Sequence, residues 1–271
     1  MAYFKPEKIM EITIGNGVKK TKYPLLQTYI LGFEAGAFIA LGYLLYIRIT
    51  APLIGPLEGL STLIGASVFP IGLILTLLAG GELLTGNMMT VPLAKFAHEI
   101  SAGKVLKNWT LITVSNFFGA IFIAYVFGHL TGLTETGIFL EKTVHIVEHK
   151  LDATFLEAFL SGIGCNWLVA AAVWLSYGAE DMAGKIFAIW FPTMAFVAIG
   201  FQHVVANMFV IPAAIFAGHF TWLDYLDNFV PVFLGNAVGG TIFVAMAYWF
   251  AYQKQEGKPN IQPVPLKKAK I

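Results

Sequence analysis

The side chains best able to do chemistry are few, and most of them sit in apolar surroundings. His203 follows Gly200-Phe-Gln202 and opens an apolar run. An ionisable residue at membrane depth is costly, so it is a functional hypothesis by default. The alternative is a neutral imidazole held by hydrogen bonds for structure alone. Thr85, within Gly80-Gly-Glu-Leu-Leu-Thr-Gly86, offers a hydroxyl that can both donate and accept. Together the two would make a small polar spot suited to a small substrate. Glu34, Glu82 and Glu157 also fall in apolar stretches. Each is read as a proton-relay carboxylate or, preferably, as a group capping freed backbone, Glu82 foremost. Gln202, Asn87, Asn207, Asn116 and Asn236 are assigned similar structural hydrogen bonding. Lys150 follows a short amphipathic segment, residues 137–149, where it either snorkels or concentrates anions at an entrance. His145 and His149 have i,i+4 spacing, but the polar face of that segment accounts for them and no metal is expected. There is no phosphate loop, HExxH or nucleophile elbow, and one cysteine, Cys165, rules out a multi-cysteine site. A membrane-embedded enzyme would need a second positioned catalytic group, which is not found. No enzymatic activity and no cofactor are therefore expected.

The elements that must position these residues follow from composition. Charged residues make up 12% of the chain and hydrophobic ones 57%, whereas a soluble domain carries about 25% charged residues. A net charge of +1 argues against a nucleic-acid partner, which would require a basic face. Residues 1–22 are polar and lysine-bearing, which is unlike a secretory leader. Apolar runs of spanning length occupy residues 25–47, 57–79 continuing past a break to 96, and 106–130. A second set occupies 155–177, 186–199 continuing past a break to 217, and 229–252. The expectation is an all-α, six-span polytopic protein lying in the bilayer as a single membrane domain. Its parts are an N-terminal segment 1–22, a first repeat 23–130, an outer connection 131–153, a second repeat 154–252 and a tail 253–271. If both termini are cytoplasmic, 14 of the 17 Lys and Arg residues fall inside, and only Arg48, Lys142 and Lys150 fall outside. Because lysine and arginine resist translocation, that orientation is the one expected.

The chain repeats itself at an offset of 120 residues. Gly80, Asn87, Met88 and Pro92 align without gaps to Gly200, Asn207, Met208 and Pro212, and Asn116 and Gly119 to Asn236 and Gly239. Three spans per half invert the second half, the arrangement common in channels and transporters. The aligned segments are also where the second and fifth spans are expected to break, at Gly80, Gly81 and Gly86 in one and Gly200 in the other. Backbone freed at that depth cannot face lipid, so it must line a cavity or be buried in protein.

Gly80-Gly-Glu-Leu-Leu-Thr-Gly86, Gly164-Cys-Asn166-Trp-Leu-Val169 and Gly200-Phe-Gln-His203-Val-Val-Ala-Asn-Met208 resemble three signatures of the formate/nitrite transporter family. The likeness runs from residue 5 to about residue 252 and is closest to the formate-transporting branch. It implies an aquaporin-like fold in the cell membrane, a homopentamer with a pore in each protomer, and formate as cargo, with nitrite, hydrosulfide or lactate as alternatives. Proton transfer would accompany transit. By the same likeness, His203 is the central pore histidine, Thr85 its hydroxyl partner, Asn166 the pore asparagine and Lys150 the vestibule lysine that attracts the anion. Phe69, Leu73 and Phe196 correspond to an outer constriction, and Leu83, Leu84 and Val169 to an inner one. The N-terminal segment would fold into a helix at the cytoplasmic mouth. This chain departs from the common pattern at Leu84, where many members have phenylalanine, and at Ala170, a frequent cysteine. It departs also at Gln202, where glutamate is usual; the amide removes a negative charge that would stabilise an imidazolium.

Overall fold

In lipid an isolated chain segment satisfies its backbone polar groups only as a helix, and the apolar runs obey this. The computed structural model describes residues 3–253 and contains twelve α-helices and no named strand among them. Five of the lysines counted above, Lys254, Lys258, Lys267, Lys268 and Lys270, lie outside the described residues. Helix α1 (Pro6–Lys20) has proline at its start, Glu7 in its first turn and Lys19 and Lys20 in its last, each suited to the helix dipole. Then come α2 (Leu25–Thr50), α3 (Glu58–Val68) and α4 (Ile71–Leu75), the last running into a π-turn over Thr76–Gly80. After a break come α5 (Leu84–Phe96), α6 (Ala102–Phe122) and α7 (Ile138–Leu151). The second half holds α8 (Phe155–Gly178), α9 (Met182–Ile199), α10 (Val204–Phe216), α11 (Trp222–Val238) and α12 (Ala247–Tyr252).

Six stretches are long and apolar enough to cross a membrane: Leu25–Thr50, Gly59–Gly80, Ala102–Leu130, Phe155–Gly178, Met182–Ile199 and Trp222–Tyr252. The sixth starts at Trp222 rather than at 229 because a capping box begins it early. Thr221 Oγ1 accepts the Asp224 N–H, and the Asp224 carboxylate accepts the Thr221 N–H at 2.8 Å. The α7 helix and α1 each precede the first span of a half. The described ends of the chain lie together, since α1 packs against α12.

Both breaks occur where the alignment placed them. The chain leaves helical geometry at Gly80 (φ +104°) and at Gly200 (φ +88°), a region that favours glycine, and re-enters it at Leu84 and Val204. Gly86, expected to loosen the second span, lies instead inside α5 near Val173. The half-helices that follow the breaks form the centre of the protein. Leu84–Ala94 of α5 and Val204–Ala214 of α10 are buried throughout. The long helices pair around them, α2 with α6 and α8 with α11, the first and third spans of each half.

Candidate permeation site

A helix begun at membrane depth leaves N–H groups without partners. In each half one asparagine from the third span resolves this. Asn116 Oδ1 accepts the Leu84 N–H at 2.9 Å, and Asn236 Oδ1 accepts the Val204 N–H at 2.9 Å. Their amide nitrogens reach one carbonyl within the break and one on the first span of the same half. Asn116 Nδ2 donates to Gly32 O (2.7 Å) and Glu82 O (2.9 Å), and Asn236 Nδ2 to Gly162 O (2.8 Å) and Gln202 O (3.1 Å). The structural role assigned to these two residues is thus met by six bonds in three matching pairs.

The breaks bring Thr85 and His203 together. Thr85 Oγ1 and His203 Nε2 are 2.9 Å apart, with both residues buried. The tautomer follows from the other ring nitrogen. His203 caps α10 with its own side chain: Nδ1 lies 3.1 Å from Ala206 N, and a backbone N–H can only donate. Nδ1 therefore carries a lone pair, and the neutral ring carries its proton on Nε2, donated to Thr85 Oγ1. The threonine O–H is left to donate onward. A second proton on the ring has to displace the Ala206 N–H.

Asn166 lies beside this pair with its amide donors already used. Nδ2 donates to Asn236 O at 2.7 Å and Thr85 O at 3.2 Å. Its Oδ1 is buried without a hydrogen-bond partner among the described residues. Asn166 thus keeps one acceptor unspent. Gly240 makes room for it, since a Cβ there would lie 2.6 Å from Asn166 Nδ2.

Aromatic rings close the site on one side. Phe196 stacks on the His203 ring at 5.8 Å, Phe69 meets Phe196 edge-on at 5.8 Å, and Tyr43 meets Phe69 at 5.5 Å. A cavity of about 570 Å³ opens above them and ends on Phe69, Phe196, Gln202 and His203. Leu73, Leu83, Leu84 and Val169 are packed in the core with these rings. The residues read as two apolar constrictions are all buried and belong to one apolar cluster.

Lys150, near the end of α7, lines the cavity together with Lys142, His145 and His149. Its backbone carbonyl is anchored by Gln202 Nε2 (3.3 Å) and Asn228 Nδ2 (3.2 Å), which ties α7 to the break. Burial pulls its ammonium down to about 8. Glu157 also borders the cavity, and its carboxylate closes a capping box with Thr154; it caps as expected, but at the start of the unbroken α8 rather than at a broken helix. Glu82 does not cap a helix. Its carboxylate pairs with Lys20 Nζ at 2.7 Å and accepts from Asn87 Nδ2 at 3.0 Å. The reason is the position of α1, whose last turn delivers a lysine to a carboxylate that would otherwise be buried alone. Glu34 borders a shallow groove with Tyr29, Ile30, Phe33, Ser115 and Phe118, away from the Thr85–His203 pair.

Lys20, Asn108 and Asn228 were not singled out from the sequence. A second offset, of 130 residues, points to them: it superposes Lys20 on Lys150 and Gly32 on Gly162, while the 120 offset superposes Asn108 on Asn228. The change of offset reflects the longer connection after the first span, which carries Gly55–Leu57 and the start of α3.

Comparison with known proteins extends this picture over the chain. A family model described as formate/nitrite transporter matches residues 7–250. A Bacillus subtilis (strain 168) protein, uncharacterized transporter YrhG, is 58% identical over 256 residues, which cover 94% of this chain and 96% of that one. Formate channel BtFdhC of Bacillus thuringiensis is 56% identical over 255 residues, covering 94% and 98%. Among solved structures, an FNT family ion channel superposes with a TM-score of 0.85 at 28% identity, covering 90% of this chain and 98% of that one. A pentameric formate channel with formate bound superposes with a TM-score of 0.75 at 30% identity, covering 85% and 98%.

Proposed function

The chain belongs to the formate/nitrite transporter family, and on that premise we propose that it is a homopentameric channel of the cell membrane that carries formate in both directions, each protomer with its own pathway. The single observation that carries this reading is the Thr85–His203 pair, held at the junction of two half-helices and walled by apolar residues below a cavity that contains a lysine. The relatives named as formate channels support formate as the cargo over nitrite or hydrosulfide. Both termini are cytoplasmic and the Lys150 cavity is the outer vestibule. The lysine distribution and the packing of α1 on α12 support that orientation.

The pathway works by discharging its cargo. Lys150 draws the anion into the vestibule. Beyond Phe69 and Phe196 the surroundings are apolar, and desolvation disfavours the charged form of a carboxylate. Formate therefore takes a proton from the vestibule water, directly or through a water chain under the influence of His203, crosses as neutral formic acid and returns the proton to water on the far side. The Thr85 O–H donates to a carboxyl oxygen of the cargo while His203 Nε2–H supports the threonine. Asn166 Oδ1 accepts a hydrogen bond from the acid O–H in passing. Leu83, Leu84 and Val169 form the second apolar passage, toward the cytoplasm. Flux follows the combined formate and proton gradients.

The test is labelled-formate flux in proteoliposomes carrying His203→Asn. Asparagine is itself a good helix N-cap, so the start of α10 keeps a capping acceptor while the imidazole is lost. Flux is expected to fall and its pH dependence to flatten. Unchanged flux with unchanged pH dependence would remove His203 from proton handling.

A further inference from the structure

The two halves of the chain share one hydrogen-bonded frame and differ in one charge. On the vestibule side, Gln202 Oε1 accepts from Asn207 Nδ2 and Asn228 Nδ2, both at 2.9 Å, and Asn228 Oδ1 accepts from Asn207 at 2.8 Å. Asn228 Nδ2 also reaches the Lys150 carbonyl at 3.2 Å. On the α1 side, Glu82 Oε2 accepts from Asn87 Nδ2 at 3.0 Å, and Asn108 Oδ1 accepts from Asn87 at 3.0 Å. Asn108 Nδ2 reaches the Lys20 carbonyl at 3.4 Å. Lysine, acceptor and two asparagines therefore correspond position by position between the halves. The departure is at the acceptor, a carboxylate at 82 and an amide at 202.

That departure decides what each lysine is free to do. Glu82 Oε1 lies 2.7 Å from Lys20 Nζ, with side chains 6% and 13% exposed respectively. Gln202 has no charge to offer, and no ion pair involves Lys150 among the described residues. The Lys150 ammonium instead lies 6.0 Å from the Tyr43 ring, beside the large cavity. Of the carboxylates that share a cavity with Lys150, Glu157 is engaged by both Thr154 donors and Asp224 by both Thr221 donors. Asp227, which lines a second cavity with Lys150 and Asp224, makes no ion pair with Lys150. Lys20 borders a recess of about 70 Å³. Lys104 and Lys107 border the same recess but are solvent-exposed, where salt screens them.

We infer that residues 82 and 202 polarise the channel: the free Lys150 ammonium docks the anion at the vestibule mouth, while Glu82 occupies Lys20 and leaves the opposite mouth a weak docking site. This rests on the proposed reading of the chain as an anion channel with Lys150 as collector, and adds that the acceptor position, not the lysine, selects the docking mouth. A carboxylate fixed in the fold is present at an effective concentration that a dilute free anion does not reach. A passive pathway must have equal permeability in both directions at low concentration, so the asymmetry has to appear in half-saturation and maximal rate together.

The experiment compares initial labelled-formate entry into right-side-out and everted membrane vesicles, at equal pH on both sides, against vesicles lacking the protein. The unmodified chain is expected to half-saturate at a concentration about tenfold lower from the Lys150 face than from the other. Gln202→Glu is expected to raise the Lys150-face value to that of the other face, Glu82→Gln to lower the other, and the double exchange to reverse the asymmetry. Each half already displays the frame that accommodates the residue introduced into the other, so the exchanges are sterically matched. Equal half-saturation from both faces of the unmodified protein overturns the inference without any variant. An unchanged asymmetry in the folded double exchange overturns it too. Lys150→Met separates the two claims. If it leaves the Lys150-face value unchanged, the collector reading itself fails; if it raises that value while Gln202→Glu does not, only the polarisation by residues 82 and 202 fails.

Discussion

Asn236→Ala tests how the broken helices are held. The side chain is fully buried and makes three hydrogen bonds, from Val204 N and to Gly162 O and Gln202 O. Counting bonds alone gives a loss of roughly 2 kcal/mol, because a side-chain hydrogen bond inside a membrane protein averages only about 0.6 kcal/mol. The geometry argues for more. Val204 is the first residue of α10, so its N–H has no acceptor within that helix, and alanine leaves it orphaned together with the Gln202 carbonyl. Each orphaned group costs about 1–3 kcal/mol, which places the expected loss at roughly 2–6 kcal/mol. The assay is equilibrium unfolding in mixed detergent and SDS micelles at fixed protein concentration, since oligomerisation makes stability concentration-dependent. Asn116→Ala, at the matching position, is expected to behave alike because it loses the matching bonds. A loss below about 1 kcal/mol at both sites, with formate flux unchanged, would refute the view that these asparagines hold the breaks open.

Three further outcomes follow from the site. Burial holds Lys150 near 8, so its charged form dominates below that value and is lost as pH rises through it. The half-saturating formate concentration at the Lys150 face should therefore climb between about pH 7 and 9, and Lys150→Met should flatten that climb. Thr85→Val strands the His203 Nε2–H that now meets a hydroxyl at 2.9 Å. Flux in proteoliposomes should fall roughly tenfold or more, and Thr85→Ser should restore most of it. Gly240→Ala, in the π-helical stretch Gly239–Met246 that follows α11, places a Cβ 2.6 Å from Asn166 Nδ2 and 3.1 Å from the Met88 carbonyl carbon, so that stretch and α5 must separate. A destabilisation of about 1–3 kcal/mol is expected, measured by the same unfolding assay.

Much of this protein can be read along the chain because membrane burial leaves little choice. Lipid forces helices of a set length, and six apolar runs declare them. The offset of 120 residues locates the breaks because inverted halves must place equivalent glycines and asparagines at equivalent depths. The motifs around Thr85, Asn166 and His203 name the central residues, and the fold places all three together. Other features depend on contacts between distant segments. The capping role expected of Glu82 gave way to an ion pair because α1 folds back to deliver Lys20, 62 residues away in sequence. Gly86 is an ordinary helix residue because the break ends at Leu84. The amide donors of Asn166 are spent on backbone carbonyls, which its identity alone does not reveal.

The sequence by itself determined the helices, their breaks and the residues that meet at mid-membrane, since periodicity, length and repetition are properties of a line of residues. Only the tertiary structure decided which proton His203 carries and which lysine is free. Both depend on what lies within about 3 Å of a single atom: the Ala206 N–H at Nδ1 in one case, and the Glu82 carboxylate at Lys20, with none at Lys150 among the described residues, in the other.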